Sequence, residues 1–235
     1  MNQLDRKKRI ISTQLAGLWS VLANERERSL LCADSYMRTY SKGEVVIDQG
    51  HPVQHIYILL SGKVKVVRNG ISGQVHIARI LGPKQFFGIR SFLAGMPMMA
   101  KVTAYEETVL LETPTGTLME LFEGNPRLGI FFLERLSIDI HHSEERILSL
   151  TQKHLRGRLA DTLIMLVGQY GLAADGVTLN ICPTRADLAS LSNMTTHNAI
   201  RTLSSFAREQ IVATTGRQIK IVNLRQLQHI SEYGG

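Results

Sequence analysis

Residues 183–206 read PTRADLASLSNMTTHNAIRTLSSF, and their spacing predicts two short helices joined by a tight turn, a helix-turn-helix. Thr184 followed by Asp187 is an N-terminal cap: the hydroxyl accepts a backbone N–H three residues on, and the carboxylate lies in the first turn near the positive end of the dipole. Leu188 and Leu191 share one helical face. Asn193 is the natural turn residue, because asparagine tolerates left-handed backbone better than most side chains. Thr195 caps the second helix, with Ala199, Leu203 and Phe206 inward at helical spacing. Thr196, His197, Asn198 and Arg201 are left on the outward face, where such a helix offers side chains to base edges in the major groove.

An ordinary helical hairpin with a solvated polar face has the same pattern, so the residues on its C-terminal side matter. Residues 210–212, a turn over 214–216 and the run RQIKIV at 217–222 read as a two-stranded wing, on which Arg217 and Lys220 are placed to grip phosphates. Winged helices also serve as protein-interaction modules, and charge bears on the choice. The chain has 235 residues, 44% of them hydrophobic, and a net charge of +7. Nine Lys/Arg against four acids between Lys153 and Arg225 give +5, the run Arg6, Lys7, Lys8, Arg9 with Asp5 gives +3, Glu232 subtracts one, and residues 10–152 balance to zero. The excess belongs to the helix-turn-helix half and a terminal arm, the electrostatic footprint of a nucleic-acid binder. The N-terminal run is read as a solubilising tail.

Two cysteines, Cys32 and Cys182, lie far apart without pairing or metal-ligand spacing, which fits a reduced intracellular protein. Two thiols do not make the four cysteine ligands of an ordinary iron–sulfur cluster, so none is expected. No apolar run reaches the length of a membrane span and no signal-peptide segment lies behind the start, so no membrane partner and a cytoplasmic location are expected.

Upstream, residues 10–37 carry Leu15, Leu18, Val21, Leu22, Leu30, Leu31 and Met37 at helical spacing, which predicts one or two short helices. Then come short β-type runs at 44–48, 56–60, 63–68, 75–80, 102–104 and 108–112, with turn signals at Gly43, Gly50, Gly62, Asn69-Gly70, Gly73, Gly82-Pro83 and Gly88. Many short strands at this interval predict an antiparallel sandwich or roll. Asn125-Pro126 opens a long helix running to about residue 153. Leu133, Leu136, Ile140, Ser143, Ile147 and Leu150 alternate by three and four, the a/d seam of a coiled coil, so a homodimer is expected; the competing reading packs this stripe on the roll. A parallel dimer sets two recognition helices one DNA turn apart, which calls for a near-palindromic target. The chain is thus an α+β protein with an N-terminal antiparallel β-roll (double-stranded β-helix, or jelly roll), a long dimerisation helix and a C-terminal winged helix-turn-helix. Its domains are 1–124, 125–153 and 154–235.

The phrases YSKGEVVIDQG at 40–50, IYILLSGKVKV at 56–66 and ILGPKQFFG at 80–88 resemble the β-roll of the cyclic-nucleotide-binding domain, and the helix-turn-helix stands where it does in the Crp/Fnr family of transcription regulators. The resemblance covers residues 40–222. It implies a regulator binding double-stranded DNA, with a small-molecule effector and RNA polymerase as candidate partners. By resemblance Thr184, Arg185 and the Gly216-Arg217 wing tip touch phosphate, while Thr196, His197 and Arg201 read bases. Arg201 keeps the family pattern, and a guanidinium bonds both O6 and N7 of guanine. His197 stands where the family places Glu and Ile200 where it places Ser or Gly, so an operator departing from the common family sequence is expected.

The effector pocket by resemblance comprises Gly88, Ile89, Arg90, Met98, Met99, Ser143 and Glu144. Gly88 matches the start of the phosphate cassette, but Ile89 replaces the ribose-binding Glu and Met98-Met99 replace the phosphate-binding Arg-Ser pair. Methionine offers a buried phosphate neither charge nor donor, and Glu144 repels an anion, so cyclic AMP is disfavoured. Haem on His76, His141 or His142, a small metabolite, an apolar ligand and no ligand at all stay open. Met96, Met98 and Met99 read more simply as loop packing. No enzyme is expected: His51, His55 and His76 lack the close spacing of an oxygenase triad. The alternative function is a ligand- or haem-sensing roll whose winged helix binds protein.

Overall fold

The computed structural model describes residues 3–69 and 75–233, so the expected turns at Gly70 and Gly73 lie outside the described residues. The chain divides into two compact units, Met1–Ile140 and His141–Gly235.

In the first unit, α1 (Gln3–Gln14), α2 (Ala16–Val21) and α3 (Glu25–Asp34) precede a strand, β1 (Tyr36–Tyr40). The expected helix through Met37 is corrected here. Ser35 ends α3 in extended backbone, and the aromatic-rich YMRTY pairs antiparallel with a later strand. The N-terminal basic run is likewise no tail. It lies in α1, where the Lys7 ammonium donates to the Cys32 and Ser35 carbonyls at 2.6 and 2.7 Å, and Lys8 pairs with Glu25. Two of its four cations therefore fasten α1 to α3.

The strands continue as β2 (Val45–Ile47), β3 (His55–Ser61), β4 (Val64–Asn69), β5 (Val75–Leu81), β6 (Phe86–Phe87), β7 (Lys101–Ala104) and β8 (Thr108–Pro114), with α4 (Ile89–Leu93) between β6 and β7. They form two four-stranded antiparallel sheets, ordered β1-β8-β3-β6 and β2-β7-β4-β5. The inner faces share a core: Tyr57 and Leu59 from one sheet meet Val64, Val66, Leu81 and Val102 from the other. Tyr57 stacks on Phe87 with centroids 4.7 Å apart. The alternate residues of β3, Ile56, Ile58 and Leu60, point the other way into a second core with Leu18, Leu22, Leu31, Leu121, Leu128 and Phe132. Burial on both faces is why β3 reads as the unbroken apolar run IYILL rather than as alternation. Gly62 turns β3 into β4 at φ +77°, and a Cβ there would stand 2.3 Å from the Glu107 carbonyl oxygen.

Helix α5 (Thr115–Gly124) comes next, and α6 runs Pro126–Gln152, as its Asn-Pro start predicts. In the second unit α7 (Leu155–Tyr170) is a core helix, burying Leu159, Leu163 and Leu166. Then come α8 (Arg185–Leu191), α9 (Thr196–Arg208), a hairpin of β9 (Val212–Thr215) and β10 (Gln218–Ile221), and α10 (Leu224–Tyr233), which buries Leu227 and Ile230. A bridge from Thr178 to Lys220 adds a third rung beside the wing.

Candidate functional site

Helix α8 starts with a closed capping box. The Asp187 N–H donates to Thr184 Oγ1 at 3.0 Å, and the Thr184 N–H donates to the Asp187 carboxylate at 3.0 Å. Asn193 turns the chain at φ +48°. Thr195 caps α9 by accepting from the Asn198 N–H at 3.2 Å. Leu188, Leu191, Ala199, Leu203 and Phe206 are all buried, which fixes the rotation of α9. Thr196, His197, Ile200 and Arg201 stand exposed together on its other side, with Asn198 half-buried at the edge.

What holds the turn was not visible in the sequence. Arg158 on α7 donates to the Asn193 carbonyl at 2.9 Å, Arg146 donates to the Leu191 carbonyl at 3.0 Å, and the Ser192 hydroxyl donates to Thr162 Oγ1 at 2.8 Å. The two arginines satisfy carbonyls that the end of α8 leaves without helical partners. Arg185 spends one arm on the wing, its Nη2 donating to the Gly216 carbonyl at 3.1 Å, while its Nη1 is buried without a hydrogen-bond partner. Arg217 is exposed at the wing tip. Lys220, expected to grip phosphate, has its ammonium 3.9 Å from the Asp175 carboxylate, with both side chains partly exposed. Hydrogen bonds from the Thr178 hydroxyl and from the Thr178 and Val177 N–H groups hold that carboxyl down at about 2.

Two further acids of this half are also engaged. Asp161 takes Lys153 at 2.9 Å, and Glu209 takes Arg156 through a fork of 2.8 and 2.7 Å. With these acids matched inside the unit, the positive excess falls on Arg158, Arg185, Arg201, Arg208, Arg217 and Arg225, of which Arg201, Arg208, Arg217 and Arg225 are exposed. Such an arrangement attracts a polyanion.

Within the first unit, the residues expected around an effector do not share one core. Gly88 has φ +94° and starts α4, with room for a Cβ limited by the His55 carbonyl at 3.1 Å. Ile89, 1% exposed, packs in the core beneath the helices, and Met98, 6% exposed, packs in the core between the sheets. Arg90, Met96 and Met99 are exposed. Ser143, half-buried, and Glu144, exposed, lie on the part of α6 belonging to the second unit. Two cavities of the first unit, one of about 10 Å³ lined by Leu18, Ile56 and Phe132 among others and one of about 270 Å³ lined by Arg6, Lys7, Ile10, Tyr36 and Met37, include none of these residues. His141 and His142 are exposed on α6, and His141 Nε2 lies 3.5 Å from Glu145. Among the described residues no group of three or more His, Cys, Asp or Glu is placed to hold a metal ion. Cys32 is buried and Cys182 exposed.

Along α6 the heptad splits in two. Leu133, Ile140 and Ile147 are 60, 56 and 62% exposed. Leu136 packs against the helical core of its own unit, and Ser143 and Leu150 are half-buried. No described helix is long and apolar enough to cross a membrane.

Residues 37–125 match the cyclic nucleotide-binding domain, and residues 157–230 match the Crp-like helix-turn-helix domain. The global nitrogen regulator of Nostoc sp. is 24% identical over 79% of this chain and 84% of its own. A CRP-like cAMP-activated global transcriptional regulator of Mycobacterium tuberculosis is 24% identical over 80% of this chain and 84% of its own. The structure of FixK2 from Bradyrhizobium japonicum superposes with a TM-score of 0.75 at 21% identity, covering 83% of this chain and 96% of that one, a likeness of fold.

Proposed function

The chain belongs to the Crp/Fnr family of transcription regulators, and we propose that it acts as a cytoplasmic homodimer on a near-palindromic operator, answering an effector other than cyclic AMP. Its two matched domains are those of regulators and not of enzymes. The observation that carries the DNA reading is the first turns of α9. Its apolar side is sealed in the core, its cap is closed, and Thr196, His197, Ile200 and Arg201 project together from the surface.

On that interface Arg201 takes the two acceptors of a guanine and Ile200 covers a thymine methyl. His197, a neutral donor and acceptor, cannot repeat a carboxylate's two acceptors. Arg185 and Arg217 flank these positions from the start of α8 and the wing tip, where phosphate contacts set register without selecting sequence. Crp/Fnr regulators act as dimers, and the exposed Leu133, Ile140 and Ile147 supply an apolar stripe for a second copy of α6. RNA polymerase is the further partner proposed for it.

The cyclic-AMP activation in the mycobacterial relative's name does not carry over in this reading. The cassette positions are Ile89 and Met98, both packed in apolar cores, and Met99, none of which neutralises a phosphate. Selection of bound sequences from a random duplex pool tests the whole proposal. Recovery of a two-fold symmetric site, with one guanine per half whose preference disappears in Arg201→Ala, is the expected result. No enrichment, or an unsymmetric site untouched by that substitution, refutes it and favours a winged helix that binds protein.

A further inference from the structure

The wing is fastened by backbone at its base. The Leu179 N–H donates to the Ile219 carbonyl at 2.9 Å and the Ile221 N–H to the Val177 carbonyl at 2.8 Å, so β10 lies between β9 and the segment 177–179. Beyond those rungs residues 213–218 are exposed. The tip is a two-residue turn, Gly216-Arg217, between the paired Thr215 and Gln218. Gly216 stands at φ +59° and Arg217 at a negative φ, the pattern of a II′ turn with glycine first. Glycine holds such a shape weakly by itself, because it visits other backbone conformations without steric cost, and the space around its missing Cβ is open.

A side chain from the helix-turn-helix reaches this turn. Arg185, the first residue of α8, donates from Nη2 to the Gly216 carbonyl at 3.1 Å, across 31 residues of sequence. That carbonyl belongs to the planar peptide joining Gly216 to Arg217, so holding it sets the direction in which the Arg217 side chain departs. The rest of the guanidinium does not face outward in the same way. Its Nη1 is buried without a hydrogen-bond partner and Arg185 is half-buried, whereas Arg217 is exposed. A donor shut off from solvent meets an oxyanion only if the side chain leaves its place on the wing.

We propose that Arg185 is a positioning residue for DNA binding: it holds the wing tip in one turn geometry, and the phosphate contact at this edge of the interface is made by Arg217. The role rests on the DNA reading of the interface, within which it replaces the phosphate contact that resemblance gives Arg185. A residue with a phosphate of its own adds its own increment to the salt dependence of binding. A residue acting through Arg217 has nothing further to lose once Arg217 is gone.

Fluorescence anisotropy on a random-sequence duplex over a salt series, with wild type, Arg185→Gln, Arg217→Ala and the double variant, separates the two, since phosphate contacts need no particular sequence. Arg185→Gln should weaken binding and make the salt slope shallower, by no more than the change of about 2 expected of Arg217→Ala in a dimer. The double variant should match Arg217→Ala to within about twofold in affinity, the margin inside which uncoupled effects add. In the free protein the order parameter of the Arg217 amide should fall in Arg185→Gln from the rigid range of about 0.85 toward about 0.6. Arg185→Met, which keeps the apolar stem and loses every donor, repeats the series where the thermal melt shows that Gln disturbs the fold. A double variant whose slope is shallower by about 4 in all has lost two separate phosphate contacts and overturns the positioning role. An unchanged order parameter, or an unchanged slope in Arg217→Ala, overturns it as well. A wild type that does not bind the duplex shows instead that the DNA reading has failed, and the role falls with it.

Discussion

Asp187 is only 3% exposed, yet it stabilises the unit it is buried in, because its carboxylate closes the box with Thr184 at the start of α8. A buried acid without such partners would cost several kcal/mol. Thr184→Ala leaves one N–H of the first turn unpaired and should lower stability by about 1 kcal/mol, read as a drop in the midpoint of denaturant unfolding at unchanged slope. Both caps of the helix-turn-helix were legible because capping is local: Thr184 with Asp187 and Thr195 with Asn198 act across three residues. Arg158, Ser192 and Thr162 were illegible for the opposite reason, since their partners lie 30 or more residues away and are brought together by the packing of α7. Arg201 belongs to the legible class, and on the proposed interface its replacement is a test of chemistry rather than of fold. Arg201→Ala, at an exposed position, should leave thermal unfolding unchanged. It should cost about 1–3 kcal/mol of operator affinity, concentrated at one base pair of each half-site, as measured by fluorescence anisotropy on single-substitution duplexes.

Helix α6 shows how far periodicity carries at the scale of an element. Its length was predictable from Asn125-Pro126 and from the three-four alternation, whereas the use of that alternation was not. Leu136 serves its own unit's core, and Leu133, Ile140 and Ile147 remain exposed. Spacing alone cannot assign such residues to one partner or the other, because both demand the same face. Ile140→Asp is therefore expected to turn the proposed dimer into a monomer in sedimentation equilibrium, with the circular dichroism melt of each protomer's secondary structure retained. A dimer persisting through that change would place the seam elsewhere. Strands β1 and β6 were missed because short aromatic runs next to helical or glycine-rich sequence have no period of their own, and pairing with β8 and β3 creates them. At the far end of α9, Glu209 is held at about 2, from an ordinary 4.5, chiefly by the Arg156 guanidinium and then by the Ser205 hydroxyl. Because the folded value is depressed, the ion pair stabilises the second unit fully above pH 4.5 and is lost as pH falls toward 2. The side chain is 41% exposed, so solvent screening limits the effect to about 1 kcal/mol or less. Glu209→Gln should flatten the acid limb of the stability curve in that window and leave its neutral slope alone.

For the molecule as a whole, the uneven distribution of charge was the most informative feature of the composition, and the structure sharpens it. Lys153, Arg156 and Lys220 are matched by Asp161, Glu209 and Asp175, so a third of the nine cations counted along the C-terminal sequence are already engaged. Composition counts these three cations as if they were free, and in the fold each already faces a carboxylate. The roll shows the converse. Its fold was legible from glycines and apolar runs, but the ion pair of Arg79 with Asp139 joins β5 to α6 across 60 residues of sequence and no local pattern announces it. Salt dependence tests the proposed interface at this scale. Each phosphate neutralised contributes about −0.9 to the slope of log affinity against log salt. In a symmetric dimer every contact counts twice, so Arg217→Ala should make the slope shallower by about 2 while leaving the preferred sequence unchanged. A change of about 1 would mean that only one wing reaches the backbone, and the assumption of two equivalent half-sites would fail. An unchanged slope would remove the wing tip from the interface altogether, and the phosphate contacts would have to be sought around Arg185, Arg208 and Arg225.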